Sequence, residues 1–374
     1  MHPRRARSLL IIAALWSAGY LVVAVAWAAG APGYPYGDHW DPAPGPVSLL
    51  DAVPAPTGSL IMIIAAGLGL LTAAWLLTHP RGGGPARVLT GGILAVGAGI
   101  IVAGDYRLLM AIGRTPVFLI TKLTTGFPPD MSFGLFFAEM YKLPVLHQLW
   151  LLVGLAIWLI ALRAYWTHAR GGCPACGRPE RLRWWATRRG ARRWGLVATA
   201  VAVVCPLPYV ASRYLLAAGI PAGGFSRDEM VQMNAEAPGL WLFGAGLATF
   251  GLIGALLTLG LVQRWGERWP FWVPVLRGRQ INPLAAVIPA GLVSLLLPGA
   301  ALMLVRIDLV RYAAGEFNIV PLLLTAPWVL WGFALAAATL AYWLRRRPDC
   351  PVCRVDATVP DPSLSSAGSA AAAR

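Results

Sequence analysis

Charge is scarce in this chain of 374 residues. Only 13% of residues are Asp, Glu, Lys or Arg, against about 25% in an ordinary soluble domain. A water-facing surface cannot be covered with so few charges, which excludes a typical soluble enzyme and a disordered protein. Lysine is nearly absent: all but Lys122 and Lys142 of the 31 basic residues are arginine. Cysteine is also sparse. Five residues are too few for a disulfide scaffold of this length, and four of them fall in two CxxC pairs. No Walker loop, HExxH, GxSxG or haem-attachment pattern occurs, so the sequence carries no catalytic signature and points away from an enzyme.

What the chain has instead is apolar length. Hydrophobic residues make up 57%, and mean hydropathy is +0.63. Eight charge-free stretches are long enough to cross a bilayer, for which about 20 residues are needed. They are Ser8–Gly37, Ala52–Pro80, Val88–Gly104, Leu143–Leu162, Trp194–Ser212, Ala237–Gln263, Gln280–Val305 and Asn318–Leu344. None alternates with period two, so a barrel is not expected. Backbone polar groups in hydrocarbon must pair internally, which predicts a helical bundle. The first stretch follows Arg4, Arg5 and Arg7 and resembles a signal peptide. Its apolar core exceeds the usual h-region of about 7–15 residues, and we expect it to be retained as an anchor. Many of the 17 tryptophans sit near the ends of these runs, where indoles favour the membrane interface.

Charge then predicts orientation. If all eight stretches span and the N-terminus is cytoplasmic, the inner segments hold 23 Arg and 5 acidic residues. The outer segments hold 8 basic and 11 acidic residues, giving +18 inside and −3 outside. This follows the positive-inside rule. The net +15 thus reads as topology, with anionic headgroups as contacts. It does not indicate nucleic acid.

The chain also reads as a tandem repeat. Each half has four spans, a short basic segment and a Cys-Pro-x-Cys. The first ends at Cys173-Pro174-Ala175-Cys176 and the second at Cys350-Pro351-Val352-Cys353. Four spans is an even number, so the repeats enter the membrane in the same sense. The expected fold is all-α: eight transmembrane helices as two tandem parallel four-helix repeats, with both termini cytoplasmic. The domains are 1–168 (first repeat), 169–193 (basic linker with the first knuckle), 194–354 (second repeat with the second knuckle) and 355–374 (a disordered tail).

Within the second half, the runs Gly239-Leu240-Trp241-Leu242-Phe243-Gly244-Ala245-Gly246-Leu247 and Gln263-Arg264-Trp265-Gly266-Glu267 resemble a family of uncharacterised actinobacterial integral membrane proteins. The resemblance covers most of the second half and is weaker in the first. It implies a membrane location and no established activity.

Two sets of residues are candidates for chemistry. Cys173, Cys176, Cys350 and Cys353 match paired zinc knuckles, each offering two thiolates to one ion. A structural Zn²⁺ needs four ligands, so one ion shared between the halves is expected. Redox-active dithiols and unmetallated pairs are the alternatives. Asp105, Arg107 and Arg114, with Arg306, Asp308 and Arg311, lie near the outer ends of spans three and seven. They could line a substrate site between halves, form ion pairs or simply snorkel to the interface. His147 is expected to be hydrogen-bonded within the bundle, and Cys205 to be a packing residue. Pro289 and Pro298 are expected to kink span seven and free carbonyls. The outer segment 130–143 is expected to form a short interfacial helix.

Taken together, the sequence predicts a multi-pass protein of the cell membrane with a structural cytoplasmic zinc site. Its expected role is a non-catalytic scaffold or accessory. Expected partners are membrane lipids and another membrane or cytoplasmic protein, with no nucleic acid. The alternatives are a small-molecule or lipid transporter using the seam between repeats, and a cytoplasm-facing thiol–disulfide oxidoreductase.

Overall fold

A computed structural model describes residues 3–36, 48–50, 53–104, 106–126, 130–173, 175–179, 182–269, 277–315 and 318–353. Among these residues the regular secondary structure is helical, with isolated bridge residues at Ser48, Arg268 and Gln280, the last two paired with each other. The first half contributes α1 (Pro3–Ala28), α2 (Ala55–Thr78), α3 (Gly84–Ala103), α4 (Arg107–Thr125), α5 (Phe133–Met140) and α6 (Leu143–Ala169). The second contributes α7 (Arg188–Val204), α8 (Leu207–Ala217), α9 (Arg227–Glu236), α10 (Leu240–Gly260), α11 (Pro283–Ala313), α12 (Val320–Thr325) and α13 (Pro327–Arg346).

Eight helical segments among the described residues are long and apolar enough to cross a membrane. They are α1, α2, α3, α6, α10 and α11, with α7–α8 and α12–α13 each forming one span. Their outward faces are apolar: Leu71, Val88 and Leu242 are each about two-thirds exposed or more. Water would penalise such a surface, whereas hydrocarbon does not.

Local chemistry sets the element ends. Pro54 and Pro56 open α2, where a missing N–H costs nothing. Ser132 accepts from the Leu135 amide at the start of α5, and Asn282 from the Leu284 amide at the start of α11. α4 stops at Gly126, whose φ of 73° suits a residue without Cβ.

Two departures from the sequence reading concern proline and the outer loops. α11 runs as one helix through both Pro289 and Pro298. The break falls in the fifth span instead, at Cys205–Pro206 between α7 and α8. Pro206 and Pro208 together remove two amide donors from one turn, a larger loss than either isolated proline in α11 causes. The Pro298 ring packs where Gly332 of α13 has no side chain; a Cβ there would lie 2.6 Å from its Cγ. The segment after residue 105, which falls between the predicted spans Val88–Gly104 and Leu143–Leu162, contains the amphipathic helix α4, with Leu108, Ala111, Val117 and Phe118 buried. The expected short helix around 130–143 is α5.

In the first half α1 packs against α2 and α6, and α3 against α2 and α6. In the second, α7 packs against α13 and α10, and α13 against α11. The halves meet where α11 crosses α3 and α4. That seam is apolar: Leu292, Leu295 and Leu296 join a cluster with Ile100 and Ile101. Gly299 brings α11 so close that a Cβ would lie 2.5 Å from the Val102 carbonyl oxygen.

Candidate metal centre

The first knuckle forms as α6 ends. Gly171, with φ 60°, turns the chain out of the helix. The Cys173 amide donates to the Arg178 carbonyl at 2.9 Å, and the Gly177 amide to the Cys173 carbonyl at 2.7 Å. This closes a tight loop around the two thiols. Gly177 is required there: its φ is 75°, and a Cβ would lie 2.7 Å from Thr167 Oγ1. The second knuckle follows α13 in the same way, with Cys350 and Cys353 just beyond Arg346.

The two knuckles meet. Cys173 Sγ lies 3.7 Å from Cys350 Sγ, and Cys176 Sγ lies 3.5 Å from Cys353 Sγ. All four sulfurs fall within 4.8 Å of one another. A tetrahedral zinc with Zn–S bonds of about 2.3 Å would set its sulfurs about 3.8 Å apart. The four thiols therefore have the number, type and spacing of a Cys₄ site. The close sulfur contacts run between the pairs, and all four cysteines are free thiols.

Backbone amides point at the sulfurs. The Cys353 and Val352 amides hold the Cys350 thiol down to about 6, and the Cys176 and Ala175 amides lower that of Cys173. N–H donors stabilise a thiolate, the form that binds metal. Burial pushes Cys176 up to about 12, against a hydrogen bond from the Arg178 amide. Four thiolates this close repel one another unless a cation sits among them.

Arginines brace the two knuckles. Arg178, which is buried, donates to the Pro348 carbonyl. Arg188 donates to the Arg347 carbonyl at 3.2 Å and pairs with Asp349 at 2.7 Å. Arg347 in turn donates to the Ala186 carbonyl at 2.7 Å. Sequence reasoning did not single out these residues. Arg178 alone had a local signal, following Cys173-Pro174-Ala175-Cys176-Gly177 directly; the others are joined only by the fold.

The described members of the second set of candidates lie on α4 and α11. Asp105 lies outside the described residues. Arg107 opens α4, and Arg114 lies within it. Arg306 donates to the Ser48 carbonyl at 3.1 Å, and Asp308 accepts from Thr325 Oγ1 at 3.1 Å. Arg311, in the last turn of α11, lies near enough to Glu229 to lower its pKa, after the larger effect of Ser226. Arg306 and Asp308 thus serve separate contacts.

His147 is buried, with Nε2 2.9 Å from Tyr20 Oη and Nδ1 3.4 Å from Tyr36 Oη. One ring nitrogen donates and the other accepts, so both have a partner. The rings of Trp27, Tyr34 and Tyr36 close around this group. Tyr34 and Tyr36 follow α1 in the chain. Cys205 packs in the core of the second half. No family model, curated protein or solved structure matches the chain.

Proposed function

We propose that the chain is a multi-pass protein of the cell membrane in which one structural Zn²⁺, held by Cys173, Cys176, Cys350 and Cys353, clamps two four-helix halves together at their cytoplasmic ends. One observation carries this reading: four sulfurs, from segments 177 positions apart, lie within 4.8 Å. The distribution of arginine supports the orientation, since the knuckle end carries the basic segments. A cytoplasmic location keeps thiols reduced and available to metal. In both halves the first span packs on the second and the fourth, which supports a tandem repeat.

The role is that of a non-catalytic scaffold or accessory protein, its basic cytoplasmic loops serving another protein as a docking face. Zinc has no redox chemistry of its own, and with four protein ligands no open position remains for a substrate. Sulfur contacts that cross from one CxxC pair to the other favour the clamp over a thiol oxidoreductase, which needs only a disulfide inside each pair.

The test is zinc content of detergent-purified, reduced protein, wild type beside Cys173→Ser and Cys350→Ser. One zinc per chain, lost in both variants, is expected. No zinc in the wild type, or loss in only one variant, would overturn the shared clamp.

A further inference from the structure

α6 and α13 end side by side, but their last turns do not close on each other. Between them, next to the knuckles, lies a cavity of about 600 Å³. Arg163, Arg170, Arg178 and Arg347 line it, with the indoles of Trp166 and Trp343. The one carboxylate in its described wall, Asp349, is already paired with Arg188. Arg170 stacks on Trp166 at 4.4 Å, which holds its guanidinium in place. Arg178 is buried there, fixed by its bond to the Pro348 carbonyl.

We infer that this cavity binds the phosphate headgroup of an anionic phospholipid. Four guanidinium groups around one hollow suit a phosphate, whose oxygens match their forked donors. The volume falls in the range of small-molecule sites, about 300–1,000 Å³. Depth and composition favour a lipid over a soluble anion. Arg163 lies six residues before the end of α6, so the cavity reaches about 9 Å down the helix. The headgroup layer on each side of a bilayer is about 5–8 Å thick. The cavity therefore opens at headgroup depth, where indoles reside and basic pockets between helices take anionic headgroups. The inference rests on these helices crossing a bilayer; two of the knuckle thiols, Cys176 and Cys350, also line the cavity.

Native mass spectrometry of the full chain in detergent tests it. Phosphatidylglycerol and phosphatidylcholine with the same acyl chains are titrated into wild type, Arg163→Gln/Arg170→Gln and Arg264→Gln/Arg268→Gln. The altered residues of both variants are exposed, but Arg264 and Arg268 do not line the cavity. The expected result is one saturable phosphatidylglycerol per chain, with phosphatidylcholine at least tenfold weaker. The Arg163/Arg170 variant should bind about thirtyfold more weakly, and the Arg264/Arg268 variant as wild type. Zinc measured on the same samples separates failure of this site from failure of the clamp. If the Gln variant is not monodisperse, Arg163→Lys/Arg170→Lys keeps the charge and loses the fork, and should still bind at least threefold more weakly. Equal binding of the two lipids, equal loss in both Gln variants, or full displacement of phosphatidylglycerol by millimolar inorganic phosphate would overturn the assignment.

Discussion

The two halves share a plan and differ in how they fill it. In the first, α2 and α3 pack together, and Trp16 of α1 plugs the interior against Gly154 of α6. The space left there is about 50 Å³. In the second, α10 leans on α7 and α8, away from α11. An apolar cleft of about 400 Å³ remains beside α11, lined by Gly254, Pro289, Trp331 and Tyr342 near the knuckle end, with Trp265 and Trp269. In lipid, helices are held by shape rather than by expulsion of water. One tryptophan set over one glycine fills the space beside α6, while a separate apolar hollow of about 260 Å³ remains between α2 and α3. The first half also holds every histidine of the chain, and its buried His147–tyrosine group has no histidine counterpart in the second.

That contrast can be broken at single positions. The largest effect is expected at Gly154→Leu. A Cβ there would lie 2.2 Å from the Trp16 ring, so the plug must leave, at a cost of about 3 kcal/mol or more. Gly254→Leu adds its side chain where nothing lies within 4 Å, and should change stability by less than about 0.5 kcal/mol. Thermal unfolding in detergent compares them, and equal losses would remove the distinction between the filled site at Gly154 and the open one at Gly254. Gly299→Ala comes next. Its Cβ would meet backbone at 2.5 Å, which a side-chain shift cannot relieve, so the seam should lose about 1–3 kcal/mol. Tyr20→Phe follows, leaving His147 Nε2 buried without its partner and lowering the melting point by the equivalent of about 1–2 kcal/mol.

The smallest expected effect lies in the outer helix α9, where Ser226 and Glu229 form a capping box. Ser226→Ala should loosen α9 by about 1 kcal/mol, read by amide exchange. Ser226 lowers the pKa of Glu229 below 4.5 in the folded state. The stabilisation it brings is therefore present above pH 4.5 and lost as pH falls through the lower folded value. Protection of the α9 amides, corrected for the intrinsic pH dependence of exchange, should fall in wild type as pH drops below 4.5 and change less in Ser226→Ala.

Much of this arrangement was legible in the sequence. Absence of charge over about 20 residues located all eight long apolar helices, because hydrocarbon imposes that condition directly. The cysteine pairs were legible because a metal knuckle is a local motif. Their meeting in space followed from placing each pair after the last span of its half. α4 was hidden by its charges, although burial at 108, 111 and 118 is a helical spacing. The break at Pro206 was missed because the prolines of α11 were weighed singly. What decides is two missing donors in one turn. The arginines that brace the knuckles, and those that line the neighbouring cavity, could not be told apart from topology signals. In an arginine-rich segment, only the fold says which guanidinium meets which carbonyl.

The central claim is that both halves hold one ion, and X-ray absorption at the zinc edge of the purified, reduced protein tests it most directly. The account predicts four sulfur neighbours at about 2.3 Å around one zinc per chain. Two sulfurs with nitrogen or oxygen completing the shell, or two zincs per chain, would mean that each knuckle works alone and that no clamp joins the halves.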